Sequence, residues 1–159
     1  MKVVASLLLL TLMPGILAAE SRGNIFNIRL SESTSLKFDF VERSLIVIPV
    51  FVNDSGPYRF LLDTGASITV VASKLARKLN LQNGRTDRMS SAGGSVIVNI
   101  HALEGLRIGD IRIRRPLVAV ADFGLMKNLE LDGILGADHM KSFSVSIDYS
   151  KQIVRLERT

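Results

Sequence analysis

Short apolar segments separated by turn-forming residues are the feature that most constrains the fold of this 159-residue chain. In one example, the residue types of 53–57 (Asn-Asp-Ser-Gly-Pro) all suit tight turns, and in another Gly109-Asp110 joins two short runs. Strands this short, at hairpin spacing, predict an all-β barrel or sandwich. The strand-like segments are 44–52, 58–62, 95–102, 106–108, 111–113, 116–121, 145–147 and 153–156.

Two segments depart from the strand pattern. In residues 73–79, Leu75 and Leu79 are four positions apart with basic residues between them, which predicts a short amphipathic helix with Ser73 as its N-cap. Residues 137–143 are predicted as a second short helix. Apolar residues make up 47% of the chain and aromatic residues only 6%, so we expect one domain with an aliphatic core.

The first 19 residues have the features of a signal peptide. Lys2 precedes an uncharged apolar stretch over 3–12, and small residues follow at the end, so cleavage is expected near Ala19. The sequence therefore predicts a periplasmic or secreted protein, with no membrane association after cleavage. The competing interpretation is an uncleaved anchor, although the stretch is short for a span of about 20 residues.

The rest of the chain is predicted to comprise a polar N-terminal arm at 20–43 and one domain at 44–159. The start of this arm, at 20–35, is interpreted as a loose segment or an edge strand. No internal repeat and no linker occur after the signal peptide.

The net charge of +5 raises the question of nucleic-acid binding. Arg112, Arg114 and Arg115 form the densest basic run, and two of them alternate with isoleucines as on the solvated face of a strand. We therefore expect no nucleic-acid partner. The chain has no cysteine, and His101 and His139 are far apart in sequence, so we expect no metal site and no cofactor.

The chemically distinctive segment is Asp63-Thr64-Gly65-Ala66, which directly follows the apolar residues 60–62. A carboxylate at the end of a buried strand is uncommon unless it has a partner or a function. The glycine permits a sharp loop and a close approach of the backbone to a ligand. This pattern predicts a carboxylate held on a tight loop at the mouth of a barrel, while an isolated Asp-Thr-Gly would ordinarily be a strand-end cap.

This segment resembles the active-site signature of the retropepsin-like aspartic proteases, and two further elements follow in that family's order. Ala92-Gly93-Gly94, interpreted as a hairpin turn, is similar to the glycine-rich flap that closes over substrate. Ile134-Leu135-Gly136, after Asp132-Gly133, is similar to the second glycine element of the fold. The resemblance covers residues 44–157 and implies a closed acid-protease barrel with a flap hairpin and one or two short helices.

The resemblance implies an aspartic endopeptidase that hydrolyses peptides or unfolded proteins without metal or cofactor. The chain has a single Asp-Thr-Gly, so the second carboxylate would come from Asp63 of another copy in a homodimer. Thr64 would brace the two loops across the dimer, and Gly65 would help position substrate or water. Ala66 has no hydroxyl to donate to the carboxylate, which predicts activity at a mildly acidic pH of about 5–7.

The alternative function is a non-catalytic module of the same fold that binds peptides or a partner protein. The apolar side chains of 96–98, in the predicted flap, indicate either apolar substrate side chains or simple packing. A serine hydrolase and a nucleotide-binding protein are disfavoured, because their glycine-containing motifs are absent from the sequence.

Overall fold

The computed structural model describes residues 31–81, 84–91, 94–122 and 128–159. Within them the chain forms thirteen strands and two short helices. The strands are β1 (Ser33–Lys37), β2 (Asp39–Val41), β3 (Leu45–Val52), β4 (Ser55–Leu62), β5 (Val70–Val71), β6 (Arg85–Ser91), β7 (Gly94–Ala102), β8 (Gly105–Ile108), β9 (Ile111–Arg114), β10 (Leu117–Val120), β11 (Gly133–Leu135), β12 (Phe143–Asp148) and β13 (Ile153–Arg158), and the helices are α1 (Ser73–Lys78) and α2 (Ala137–Met140).

Several predictions made from the sequence fall on residues outside this description. They are the signal peptide 1–19, the first part of the N-terminal arm at 20–30, and Ala92 and Gly93 of the flap. The later part of the arm forms β1 and β2. No helix in the described residues is long and apolar enough to cross a membrane.

The strands are arranged in two sheets. The smaller has the order β1-β13-β12, and the larger has the order β6-β7-β10-β5-β11-β4-β3-β8-β9, with β2 added beside β3. Most neighbours are antiparallel, but β11 is parallel to β4 and β10 is parallel to β5. The all-β class is confirmed, whereas the closed barrel stays a prediction.

Strand β3 and the last three residues of β4, 60–62, have largely buried side chains on both faces, which explains why these stretches are almost entirely apolar. Because successive side chains of a strand point to opposite faces, Ile48 and Phe60 enter one core cluster while Val47 and Leu61 enter another. The first cluster also receives residues from both helices and from the smaller sheet. The second cluster supports the loop that follows β4.

The predicted turns and helices largely agree with the structure, with a few differences. Helix α2 ends at Met140, so the helix predicted over 137–143 is too long, and Phe143 is the first residue of β12. The predicted hairpins at 53–57 and at Gly109-Asp110 are present as β3–β4 and β8–β9. Ser73 is not the N-cap of α1, because Ala72 occupies that position and offers no side-chain hydrogen bond. Instead Asp122, from the end of β10, accepts a hydrogen bond of 2.9 Å from the Ser73 amide. A distant carboxylate thus replaces the local cap.

Another difference lies in the hairpin predicted to be the flap. Ser91 of β6 is paired with Gly94 of β7, so Gly94 belongs to a strand, whereas the sequence had predicted it in the turn. Residues 92–93, between these two strands in sequence, lie outside the described part of the chain.

In the turn between β12 and β13, the Asp148 carboxylate accepts two hydrogen bonds that lower its pKa. Asp148 Oδ1 accepts hydrogen bonds from Ser150 Oγ at 2.7 Å and from the Lys151 amide at 2.9 Å. The Ser150 hydrogen bond first, and then the Lys151 amide, lower the pKa of Asp148 to about 2. Since this pKa is below the ordinary value, the stabilisation is present above about pH 4 and is lost as the pH falls toward 2.

We therefore expect Ser150→Ala to raise the pKa of Asp148 toward the ordinary value of about 4. The carboxyl carbon resonance of Asp148, followed by NMR through an acid titration, measures this change. Asp39, an exposed carboxylate on β2, is the internal control, because its carboxyl resonance at neutral pH should be the same in both proteins. An unchanged Asp148 midpoint in the variant would contradict the role assigned to the hydroxyl.

Candidate active site

Asp63 lies where β4 ends and the chain leaves the sheet. Its amide donates a hydrogen bond of 3.1 Å to Leu135 O, which continues the pairing of β4 with β11 by one residue. Asp63 Oδ1 accepts a hydrogen bond of 2.8 Å from the Gly65 amide, and Asp63 O accepts one of 3.3 Å from the Ala66 amide. These contacts fix both the backbone and one carboxylate oxygen of the half-buried Asp63.

The second glycine element lies directly against this loop. Strand β11 is inserted between β4 and β5, with Leu135 paired to Leu62 on one side and Ile134 to Val70 on the other. On leaving β11, Ala137 donates a hydrogen bond of 2.7 Å from its amide to Ala66 O. The two glycine-containing segments identified in the sequence, about 70 residues apart, are therefore joined in one backbone network.

Position 136 requires glycine, because the two segments approach each other too closely there to leave room for a side chain. A Cβ atom there would lie 2.6 Å from the Ile68 carbonyl carbon and 2.9 Å from Ala66 O, both backbone atoms. Gly133 has a similar constraint, since its Cβ would lie 2.6 Å from Val70 O. Side chains at these positions would separate β11 from the loop that holds Asp63.

A largely buried polar network lies beneath this loop, and the sequence did not predict it. The Thr69 hydroxyl donates a hydrogen bond of 2.8 Å to Asp138 Oδ1 and accepts one of 3.0 Å from the Gly136 amide. The Thr69 amide donates to Asp138 Oδ2 at 3.0 Å, and Thr69 is fully buried. The signals in the sequence were Thr69, just before the apolar residues 70–71, and Asp138, two residues after Gly136. No local pattern connects these two positions.

The outer surface of the loop is available for contacts with other molecules. Thr64 and Gly65 are exposed, and the Thr64 hydroxyl has no hydrogen-bond partner among the described residues. Within that same part of the chain, Asp63 Oδ2 likewise accepts no hydrogen bond. One carboxylate oxygen and one hydroxyl therefore remain free at the tip of the loop.

The other carboxylates near apolar strands have structural roles. Asp132 accepts a hydrogen bond from the Arg59 amide, Asp122 caps α1, and Asp148 stabilises the last hairpin. None of these three carries an adjacent Thr-Gly sequence. The described part of the chain contains no group of three or more histidine, cysteine or acidic residues that could hold a metal ion.

The hairpin predicted to be the flap is formed by β6 and β7. Val98 is only 2% exposed and belongs to the second core cluster, and Val96 packs against that cluster, so these two side chains serve packing. Ile97 is 68% exposed and is the apolar side chain of this hairpin that remains available for other contacts.

Comparisons with known proteins identify the family and the fold. The aspartyl protease family model matches residues 48–139, more than half of the chain. Among solved structures, a retropepsin-like aspartic protease from Rickettsia conorii is similar with a TM-score of 0.57 and 20% identity, covering 80% of this chain and 93% of that one. The EIAV protease complexed with the inhibitor HBY-793 is similar with a TM-score of 0.50 and 24% identity, covering 65% and 91%.

No curated protein sequence matches the chain. At these identities the two solved structures demonstrate a shared fold alone.

Proposed function

This chain belongs to the aspartyl protease family and is retropepsin-like, and from that membership we propose that it is an aspartic endopeptidase that acts as a homodimer through Asp63. The observation that carries the proposal is the geometry of Asp63. Its backbone is tied to Leu135, one carboxylate oxygen is held by the Gly65 amide, and the other oxygen is free at an exposed loop. A carboxylate preorganised in this way is suited to proton transfer.

The proposed mechanism uses two copies of Asp63 that share one proton. Two carboxylates placed side by side cannot both ionise readily, so one stays protonated while the other is charged. The protonated acid donates a hydrogen bond to the carbonyl oxygen of the scissile peptide bond. The ionised carboxylate removes a proton from the attacking water as its oxygen bonds to the carbonyl carbon, and the other acid gives its proton to the carbonyl oxygen, so no covalent enzyme intermediate forms. The C–N bond of this tetrahedral intermediate then breaks as the proton taken from water passes to the leaving nitrogen, and one hydroxyl proton returns to the other carboxylate.

A homodimer is proposed because one chain supplies only half of this machinery. A two-fold axis beside the loop would place the two Asp63 side chains next to each other and would make the contact self-complementary. The exposed Thr64 hydroxyl, which has no partner in the described part of the chain, is suited to a hydrogen bond with the partner loop. Gly65 leaves room for substrate backbone or water near the pair.

The remaining parts of the proposal follow from the sequence. We propose that the mature protein acts in the periplasm or outside the cell, after cleavage near Ala19, on peptides or unfolded proteins. The hairpin β6–β7 would serve as the flap over an extended substrate, with Ile97 in contact with it. Ala66, which has no hydroxyl, supports an activity optimum of about pH 5–7. We further propose that the sheet closes into the barrel typical of the family.

The dependence of activity on protein concentration tests the dimer. We expect residues 20–159, incubated with a mixed peptide library between about pH 4 and 8, to cleave peptides at a rate per chain that rises with concentration. Mass spectrometry detects the products, and sedimentation measures the monomer–dimer equilibrium under the same conditions. The midpoint of the activity curve should coincide with that of dimerisation.

Two outcomes would contradict the proposal. Cleavage whose rate per chain is constant across the monomer–dimer transition would exclude a shared active site. A folded dimer that binds peptides without cleaving any of them would favour the non-catalytic module instead.

A further inference from the structure

Strand β9 has an unpartnered edge. It ends the larger sheet, and in the described residues it pairs only with β8, through Ile111 to Ile108 and Arg114 to Gly105. The backbone amides and carbonyls along its outer side therefore have no strand to bind. Such an edge is a template for the addition of another extended segment.

The edge is strongly basic. Arg112 and Arg114 are exposed on the same face of β9, Arg107 is paired opposite Arg112, and Arg115 follows directly. Of these four, only Arg112 has an ion pair in the described part of the chain, with Asp54 at 3.1 Å. That pair is exposed, so it contributes little to stability, and another carboxylate can readily replace Asp54 beside Arg112.

A hollow runs along the outer side of β9, toward the smaller sheet. Its volume is about 320 Å³, and Arg112 and Arg114 form one wall. Arg158 of β13 also lines the hollow, where it stacks over Phe143 and forms an exposed ion pair of 3.5 Å with Glu32. Three arginines and one carboxylate, that of Asp138, therefore line a space beside an unpaired strand edge.

The lining of this hollow includes a buried polar atom without a partner. His139 Nε2 has no hydrogen bond in the described structure, and its nearest carboxylate oxygen, Asp138 Oδ2, is 3.7 Å away. That oxygen already accepts a hydrogen bond from the Thr69 amide. A buried polar atom left in this state is costly, and a polar ligand in the hollow would supply the missing partner.

We propose that β9 is a docking site for an acidic, extended polypeptide segment, which adds to the sheet edge and places its carboxylates among Arg112, Arg114 and Arg158. The positive charge of β9 favours an acidic segment over a second copy of this strand. A second copy of β9 would set arginine against arginine, whereas glutamate or aspartate at alternate positions is complementary to the edge. Asp63 does not line this hollow, so the proposed binding does not require peptidase activity.

Binding is tested with the full mature protein carrying Asp63→Asn, so that no peptide is cleaved. The probe is a fluorescein-labelled peptide of alternating glutamate and threonine, followed by fluorescence anisotropy. We expect saturable binding that weakens about tenfold or more in Arg112→Gln/Arg114→Gln. The matched variant Arg43→Gln/Arg77→Gln, which removes the same charge from exposed sites elsewhere, should bind the peptide normally.

Strand addition is separated from simple charge attraction by a second peptide. It has the same sequence but is N-methylated at alternate residues, which removes backbone donors while keeping every carboxylate. We expect this peptide to bind at least about tenfold more weakly. In the unmodified protein, hydrogen exchange should slow at the amides of β9 when the first peptide binds, a measurement that does not depend on any β9 variant being folded.

Three results would overturn the proposal. The first is no binding of the acidic peptide. The second is an equal loss of affinity in both double variants, which would indicate a diffuse charge effect. The third is equal affinity for the N-methylated peptide, or unchanged exchange at β9, which would indicate a general polyanion surface.

Discussion

Replacing Asp63 with asparagine is expected to reduce peptide cleavage by at least about 10³-fold, the loss typical of removing a general acid–base group. Asparagine has nearly the same shape and can still accept a hydrogen bond from the Gly65 amide, so the loop should keep its structure. It cannot take a proton from water or share one with a second carboxylate. The kcat/KM for a peptide identified in the library measures the effect.

A matched control separates chemistry from folding. Asp39→Asn makes the same substitution at an exposed position on β2 and should retain normal activity. Both variants should show wild-type circular dichroism and the same dimerisation constant. Residual cleavage within tenfold of the wild type in Asp63→Asn, at equal folding, would contradict the assignment of Asp63 as the catalytic residue.

Mixing the two proteins tests whether both copies of Asp63 are needed. If subunits pair at random, an excess of about nine Asp63→Asn chains over wild-type chains should lower the wild-type activity about tenfold, because nearly all wild-type chains then pair with a variant chain. Asp39→Asn added in the same excess should not lower it. An active mixed dimer would show that one carboxylate suffices.

Local patterns predicted the hairpins well and the polar strands poorly. The hairpin β8–β9 was predictable because Gly109-Asp110 and the alternating Ile-Arg sequence carry all the information needed for it. Strand β6 (Arg-Thr-Asp-Arg-Met-Ser-Ser) has no apolar alternation and is a strand because β7 pairs with it along its length. Strand β1, at the edge of the smaller sheet, overlaps the segment 20–35 for which an edge strand was one of two predicted alternatives, and its pairing with β13 and the burial of Thr34 and Leu36 organise it.

The same distinction explains what was predictable in the candidate active site. Asp63-Thr64-Gly65 is a contiguous signature, so a short stretch of sequence sufficed to propose it as the site. Thr69 and Asp138 are 69 residues apart, and only the insertion of β11 between β4 and β5 brings them together. A hydrogen bond of this kind depends on topology, which no local pattern encodes.

Removing the Thr69 hydroxyl from its hydrogen bonds with Asp138 and Gly136 is expected to lower the stability of the fold substantially. Thr69→Val preserves the shape of the fully buried side chain but removes the hydroxyl. The buried Gly136 amide then loses its acceptor, and the half-buried Asp138 Oδ1 loses one of its two donors and keeps the His139 amide. We expect the free energy of unfolding to fall by about 3 kcal/mol, measured by urea denaturation at a fixed protein concentration.

Thr69→Ser is the matched comparison, because serine keeps the hydroxyl and loses only a methyl group, which should cost about 1 kcal/mol. Activity should follow the same order, since Gly136 and Ala137 connect this network to the loop that carries Asp63. If Thr69→Val were as stable as Thr69→Ser, the packing of the methyl group rather than the hydroxyl would hold the loop in place. A larger loss of unfolding free energy in Thr69→Val than in Thr69→Ser would show that the hydroxyl joins β11 to the loop that carries Asp63.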